Sequence, residues 1–507
     1  MSLVQNVPAF SILLLMLCGI VCLVLPRRAA RHLADCAIAL VAAASVALLV
    51  YFLQGGAAYT YSMGEIGAPF GNELRAGMLE AAVATLFSIV TLLSLMGGRA
   101  HLRSDIGRLK VNLYYISTLF LLCSMLALVY TNDIFTAYVF VEINTITACG
   151  IVMSKEDGYT LAASMRYFIM SLIGSGLFLI SICILYAVTG HLLMSNIQEA
   201  VAQLYARGEY RAPLQVAIAL MGVGLSLKSA LWPFSSWLPD AHSSASASSS
   251  AMLSGLVLKS FIFLMIKIFY RVIGAGIVRT HAVLDLLLVF GILGMVMGSV
   301  NALFERDIKR LLAYSSVGQI GYIFCGVGLG TPAGVAAAMV QVAVHATTKA
   351  MLFCAAGGLM DASGGSKKFR DIEGAGRRDP YAGVAFIVGT LSMIGIPFFG
   401  GFITKLSLVQ AAVTVGGWRN LLSILAIIVS TILTAIYYIN VLAIIFRAPE
   451  TAPTKASEKL KEEWKKQVRL DTEYEVAIVL FILLNLAIGL RSDQLMQIIT
   501  TGLSMFG

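Results

Sequence analysis

The sequence holds 507 residues, 59% of them apolar and 12% charged, where an ordinary soluble domain is about 45–50% apolar and about 25% charged. With half the usual charge missing, a water-facing surface cannot be built, and secreted disulfide scaffolds, disordered chains and nucleic-acid modules are excluded. The formal charge of +9 reads as basic residues that keep loops on the cytoplasmic side, not as the mark of a nucleic-acid partner.

Apolar runs of about 17–25 residues predict fourteen helical spans, near 9–25, 33–53, 77–97, 111–130, 134–153, 165–189, 213–234, 248–270, 282–301, 308–329, 334–360, 383–413, 420–446 and 472–490. An all-α membrane protein follows, because open strands cannot span lipid and the ten-residue alternating segments of a barrel are absent. The first run is followed by PRRAARH and not by a small-residue cleavage site, so it reads as a span rather than a signal peptide. Residues 57–70 alternate and carry glycine turns, which predicts a short outer hairpin. Residues 191–211 read as a helix lying on the outer surface. The Lys- and Glu-rich residues 447–470 read as a solvated inside loop or surface helix. Four parts result: 1–110 with three spans and the hairpin, five-span units at 111–270 and 282–446, and 447–507 with the last span.

Loop charges test this map. One set of alternate loops carries Arg27, Arg28, Arg31, Arg99, Arg103, Arg108, Lys110, Lys155, Arg166, Arg306, Lys309, Arg310 and the basic stretches 367–378 and 447–469. The other set carries only Arg75, Arg207, Arg211, Arg271, Arg279, Arg419 and Arg491. The imbalance predicts the first loop inside and both termini outside.

An ionisable side chain at mid-membrane costs roughly 2.5–3.5 kcal/mol on insertion scales. The spans nevertheless hold Glu142, Lys228, Lys259, His345, Lys349 and Lys405. Lys267 lies near the end of its span and is expected to snorkel to the interface. Glu80, Asp133 and Asp285 are expected at span ends, as interfacial or capping groups. Lys228, Lys259 and Lys405 have apolar sequence on both sides, too deep for easy snorkelling, and lead the functional reading. Low dielectric disfavours a lysine's charge and a nearby carboxylate restores it, so a lysine with a movable acid partner is a switchable proton store. Glu142 with Lys228 is the expected pair; Lys259, His345 or Lys349, and Lys405 would continue a lateral relay.

Helix breaks accompany these residues. Pro233 and Pro239 follow Lys228, and Pro397 with Gly395, Gly400 and Gly401 precedes Lys405. Backbone groups opened by such residues survive in a span only where protein or water satisfies them. Interrupted spans in corresponding places mark inverted repeats, so spans four to eight are expected to repeat as nine to thirteen. Asp240, His242 and Ser243, with the hydroxyl run HSSASASSS, are expected at an inlet from the inside. The eight cysteines read as buried apolar residues, and no nucleotide motif or metal set appears; no cofactor is expected.

The stretches KSALWPFSSWLPDAHS (228–243), SAMLSGLVLKSFIF (250–263), RDIKRLLAYSSVGQIGYI (306–323), HATTKAMLF (345–353) and IGIPFFGGFITKLSL (394–408) carry a resemblance. The sequence resembles the antiporter-like subunits shared by respiratory complex I, Mrp-type cation/proton antiporters and membrane-bound hydrogenases. The resemblance implies a fourteen-helix fold with two inverted five-helix repeats and proton relay through Glu142, Lys228, Lys259, His345, Lys349 and Lys405. Lysine at 405, where one complex I branch has glutamate, favours similarity to the antiporter D-type subunit. After DAHS the family usually has an Ala-Pro pair; here SASASSS lacks proline, so the eighth span is expected to be less kinked.

Two functions from one class remain open at this point: a proton- or sodium-translocating subunit of a redox-driven complex, and a subunit of a stand-alone Na⁺/H⁺ antiporter. A structural anchor is disfavoured, because an anchor would not keep the insertion cost of deep lysines. Expected partners are other membrane subunits, a peripheral iron–sulfur, hydrogenase or dehydrogenase arm, and the lipid of a prokaryotic cytoplasmic (inner) membrane.

Overall fold

The computed structural model describes residues 3–62, 72–99, 102, 105–107, 110–155, 157–448 and 472–506. The chain starts with α1 (Val7–Val21) and α2 (Arg27–Leu53). A hairpin follows: β1 (Tyr59–Ser62) pairs antiparallel with β2 (Glu73–Ala76), Tyr59 opposite Ala76. Its strands flank the expected turn, part of which lies outside the described residues. Next come α3 (Met78–Gly97), α4 (Val111–Tyr130), α5 (Ile134–Met153) and α6 (Gly158–Thr189). The amphipathic α7 (Met194–Arg207) turns Met194, Ile197 and Val201 inward and leaves most of its surface exposed, as a helix lying on the surface must.

The second part holds α8 (Arg211–Lys228), α9 (Leu238–Ser244), α10 (Ala247–Val278), α11 (Val283–Phe304), α12 (Ile308–Gly328) and α13 (Pro332–Asp361). It ends with α14 (Pro380–Ile394), α15 (Gly400–Val415), α16 (Gly417–Phe446), α17 (Thr472–Leu490) and α18 (Ser492–Ser504). The expected surface segment 447–470 lies outside the described residues from 449 onward. The short amphipathic α18, which the sequence reading did not anticipate, packs on α3 and α13.

Twelve helices among the described residues are long and apolar enough to cross a membrane. The expected seventh and twelfth spans are broken. After Lys228 the chain leaves the helix, turns through Phe234–Trp237 and resumes as α9. Pro233 cannot donate a helical hydrogen bond, and Ala230 has φ +54°. Between α14 and α15 the left-handed Gly395, φ +89°, ends the first piece, and Pro397 lies in the gap. The first break falls at Pro233 and Pro239, the second at Pro397 with its neighbouring glycines.

Close helix pairs fix the interior. A Cβ on Gly298 of α11 would lie 2.5 Å from the backbone nitrogen of Gly318 on α12. Small residues let membrane helices approach this closely. A Cβ on Gly174 of α6 would lie 2.7 Å from the carbonyl of Gly224 and 3.1 Å from Lys228 Cγ on α8. α12 and α13 are the most enclosed spans.

α10 departs from expectation. The missing proline does not leave it regular: π turns at Leu253–Val257 and Phe269–Gly274 distort it, and it runs on to Val278. Lys267 is therefore not near its end. The side chain is fully buried, and its Nζ donates to the carbonyls of Val129 (2.7 Å) and Thr131 (2.5 Å) at the end of α4, where the helix dipole is negative. Glu80 is likewise enclosed, 1% exposed, and accepts from Arg75 at 2.8 Å. Asp133 caps α5 and Asp285 pairs with Arg419 at 2.7 Å, in keeping with their expected roles.

The start of α5 recurs at α12. Asp133 (φ −115°, ψ 129°) and Asp307 (φ −116°, ψ 124°) cap the two helices. Asp133 bridges to Leu193 and Asp307 to Lys368. Ile134 N–H donates to Leu192 O and Ile308 N–H to Lys367 O, each at 3.0 Å.

Candidate ion path through the buried lysines

Lys228 is the last residue of α8 and is fully buried. Its Nζ donates to Thr145 Oγ1 at 2.7 Å and lies 5.2 Å from the centre of the Phe261 ring. Glu142, one turn before Thr145 on α5, is half-buried and acts electrostatically on the ammonium. The hydrogen bond thus goes to the threonine, with the expected carboxylate partner held nearby. Asn144 is fully buried beside them with neither amide atom partnered, and the Ser226 hydroxyl is also unpartnered. Buried polar groups are normally satisfied, so this region has unmet hydrogen-bonding demand.

Lys259 sits on α10 just past the first π turn, fully buried, and donates to the Ser254 carbonyl inside that turn. Ser254 Oγ is 2.9 Å from Ser316 Oγ on α12. His345 on α13 is fully buried with both ring nitrogens unpartnered, within electrostatic reach of Lys259, Lys349 and His242. One turn on, Lys349 donates to Leu312 O at 3.0 Å and to the Tyr438 hydroxyl at 3.1 Å. Lys405 on α15 is half-buried and folds back across the break, donating to Met393 O (3.2 Å) and Ile394 O (2.6 Å). These carbonyls end α14, again at a negative dipole end. Its Nζ is 5.5 Å from the centre of the Tyr322 ring.

The span at 308–329 forms α12 as expected, but the polar face by which it joins these groups was not expected from the sequence. Leu312, Ser315, Ser316, Gln319 and Tyr322 share one face of α12 by their spacing. Through them α12 reaches Lys349, Ser254 beside Lys259, Gln341 (2.5 Å from Gln319) and Lys405. Tyr437 and Tyr438 of α16 bond to Ser315 at 2.9 and 3.1 Å. The signal was present in LLAYSSVGQIGY as polar residues at helical spacing.

At the other end, the three expected inlet residues separate. Asp240 is tied down, accepting from Arg310 (2.8 Å), Arg166 (2.9 Å) and Tyr159 (3.1 Å). Ser243 meets Lys367 at 2.6 Å and Asp307 at 3.4 Å. His242 points inward, fully buried, stacked 4.6 Å from the Phe353 ring, with both nitrogens unpartnered. Ser246, Ser248, Ser249 and Ser250 behind it are all buried. No group of three or more metal-ligating side chains occurs among the described residues.

Chemically, buried ammonium and imidazole groups are of a kind that can exchange protons through hydroxyls and water. Residues 131–434 match the family model described as "NADH:quinone oxidoreductase/Mrp antiporter, TM". The NADH-quinone oxidoreductase subunit N of Desulforudis audaxviator is 29% identical over 468 residues, 91% of this chain and 90% of the relative. A Na⁺/H⁺ antiporter subunit of the D type from Alkalihalophilus pseudofirmus is 28% identical over 368 residues, 73% and 72% of the two chains. In the solved structures, a chain of the Mrp complex from a Dietzia species superposes with a TM-score of 0.85 at 23% identity, covering 99% of this chain and 97% of the other; this likeness concerns the fold. With the family model covering more than half of its length, the chain belongs to the NADH:quinone oxidoreductase/Mrp antiporter transmembrane family, as an antiporter-like, multi-pass membrane subunit of the kind found in multisubunit complexes.

Proposed function

We propose that the chain moves protons along Glu142, Lys228, Lys259, His345, Lys349 and Lys405, within a membrane complex whose other subunits supply the energy. One observation carries this reading. Lys228, Lys259 and Lys349 are fully buried, yet each donates only to neutral oxygens: a hydroxyl, a carbonyl, or both. A permanently charged, structural lysine in lipid is expected to carry a contact carboxylate. Lysines held by neutral acceptors can give up and regain a proton without breaking an ion pair.

Glu142 and Lys405, at the two ends of the file, are the half-buried members. That supports transfer to neighbouring membrane subunits at either edge. The matching starts of α5 and α12 and the two breaks support two repeats of opposite orientation and fourteen crossings. The loop charges support an inside location for the Asp240 end, outside termini and a prokaryotic cytoplasmic membrane. A redox-driven complex with a peripheral arm is the first reading, from the oxidoreductase relative; a stand-alone Na⁺/H⁺ antiporter is the second, favoured by lysine at 405.

The test is ion flux in vesicles holding the whole complex, with and without sodium and a protonophore. Lys228→Ala and Glu142→Ala should abolish flux while the complex still assembles. Normal flux in both would refute the path. Flux that needs sodium and runs on an imposed ion gradient with no electron donor would favour the antiporter reading.

A further inference from the structure

Lys309 was counted in the sequence as a loop charge, since it stands two residues after the cap Asp307. The structure encloses it: 3% of the residue is exposed, and its Nζ donates to the Ala245 carbonyl, the residue that ends α9. The charges acting on it are Asp307 at its own helix start, Asp105, Lys155 and Lys367. These form two ion pairs at the surface, Lys155 with Asp105 (3.5 Å) and Lys367 with Asp307 (3.4 Å), all four side chains partly exposed. On the same short helix, three residues before Ala245, His242 has both ring nitrogens buried and unpartnered. Three ammonium groups act on His242: Lys309, Lys349 and Lys259. Lys309 is thus a buried base bonded to the end of the helix that carries an unsatisfied imidazole, and it lies within electrostatic reach of both that imidazole and the surface pairs.

We propose that Lys309 is the loading group of the path: it takes a proton from water at the Asp105 and Asp307 pairs and passes it to His242, which serves Lys259 and Lys349. This rests on the proton-path reading above. In the transfer an N–H bond of the Lys309 ammonium breaks and an N–H bond forms on the imidazole. The neutral amine then recovers a proton from water at the surface pairs, so charge and protons balance. Asp240, which the sequence placed at the inlet, has another part. Its donors come from α6 (Tyr159 and Arg166) and α12 (Arg310), so it clamps the two halves together beside the inlet.

The experiment uses the intact complex in vesicles, with flux measured against pH on the side of the Asp240 end. Lys309→Arg keeps the charge and the bond to Ala245, but a guanidinium does not release its proton. Flux should fall by about 100-fold, the lower range of what a positioned proton-transfer group contributes, with assembly retained. Lys309→His should restore part of the flux and shift its pH profile toward the imidazole range. Wild-type flux in Lys309→Arg would overturn the proposal by showing that charge alone suffices. An assembled Lys309→His variant with the wild-type profile would also overturn it, as would failure of both variants to assemble, which assigns Lys309 to structure. Lys228→Ala runs alongside: if it transports normally, the path itself falls, whereas a blocked Lys228→Ala beside a normal Lys309→Arg removes only the loading role.

Discussion

Asp133 and Asp307 start α5 and α12 with the same extended backbone and the same bond to a distant strand-like residue, yet the lysines at the two later breaks are held in unlike ways. Lys228 ends the piece before its break, is fully enclosed, and donates to one hydroxyl with a carboxylate close by. Lys405 follows its break, is half-buried, and donates to two helix-end carbonyls; no ion pair includes it among the described residues. A single hydroxyl is a weak hold that a neighbouring acid can tune. Two carbonyls at the end of a helix, where its dipole is negative, are a firmer hold than one hydroxyl. On the proposed path, the difference would suit switching at Lys228 and a resting place for the proton at Lys405.

Lys405→Ala should cut steady flux by about 100-fold while leaving uptake on the other side measurable as a single-turnover burst. Equal loss of burst and steady flux would erase the distinction between the two lysines. Thr145→Val keeps the shape of the side chain and removes the acceptor of Lys228. An unmet buried donor costs about 1–3 kcal/mol, so flux should fall several-fold, and Thr145→Ser should recover it. Gly298→Ala places a methyl 2.5 Å from the Gly318 nitrogen. Overpacking of about 1–3 kcal/mol should lower the thermal stability of the complex, and an unchanged melting curve would mean that α11 and α12 separate easily.

The smallest effect concerns Asp157, the cap of α6. It accepts from Thr160 N at 2.7 Å, and that backbone bond holds its carboxyl below the usual range. The folded value is depressed, so the stabilisation is complete above the ordinary carboxylate range and is lost as pH falls through the lowered value. Asp157→Asn keeps an acceptor and should cost less than Asp157→Ala, which should cost about 1 kcal/mol. Melting curves of the two variants at neutral and acid pH would check both the order and the sign.

The lysines enclosed within the spans were legible because a charge inside an apolar run has no cheap explanation in lipid. The breaks were legible because proline and glycine cannot be hidden in a span. The polar face of α12 was not, since serine, glutamine and tyrosine cost little in a membrane helix, and only the tertiary structure shows that α12 reaches Lys349 through Leu312 O, Lys259 by way of Ser254, and Lys405 beside Tyr322. Lys267 was misread because the length of α10 depends on π turns, which leave no pattern in the sequence and carry the helix on to Val278. Lys309 and His242 needed the fold as well: nothing in the chain between 242 and 309 says that Ala245 returns to cover a lysine at the start of α12.

Lys259 lies on α10, held by one carbonyl and linked to α12 through Ser254 and Ser316. The most direct measurement is therefore proton flux through an assembled complex carrying Lys259→Met, which keeps the side-chain length and removes the exchangeable proton. Flux should fall by about 100-fold, with wild-type assembly and unchanged activity of any uncoupled catalytic arm. Flux at the wild-type rate would contradict the claim that protons cross this molecule from one buried lysine to the next.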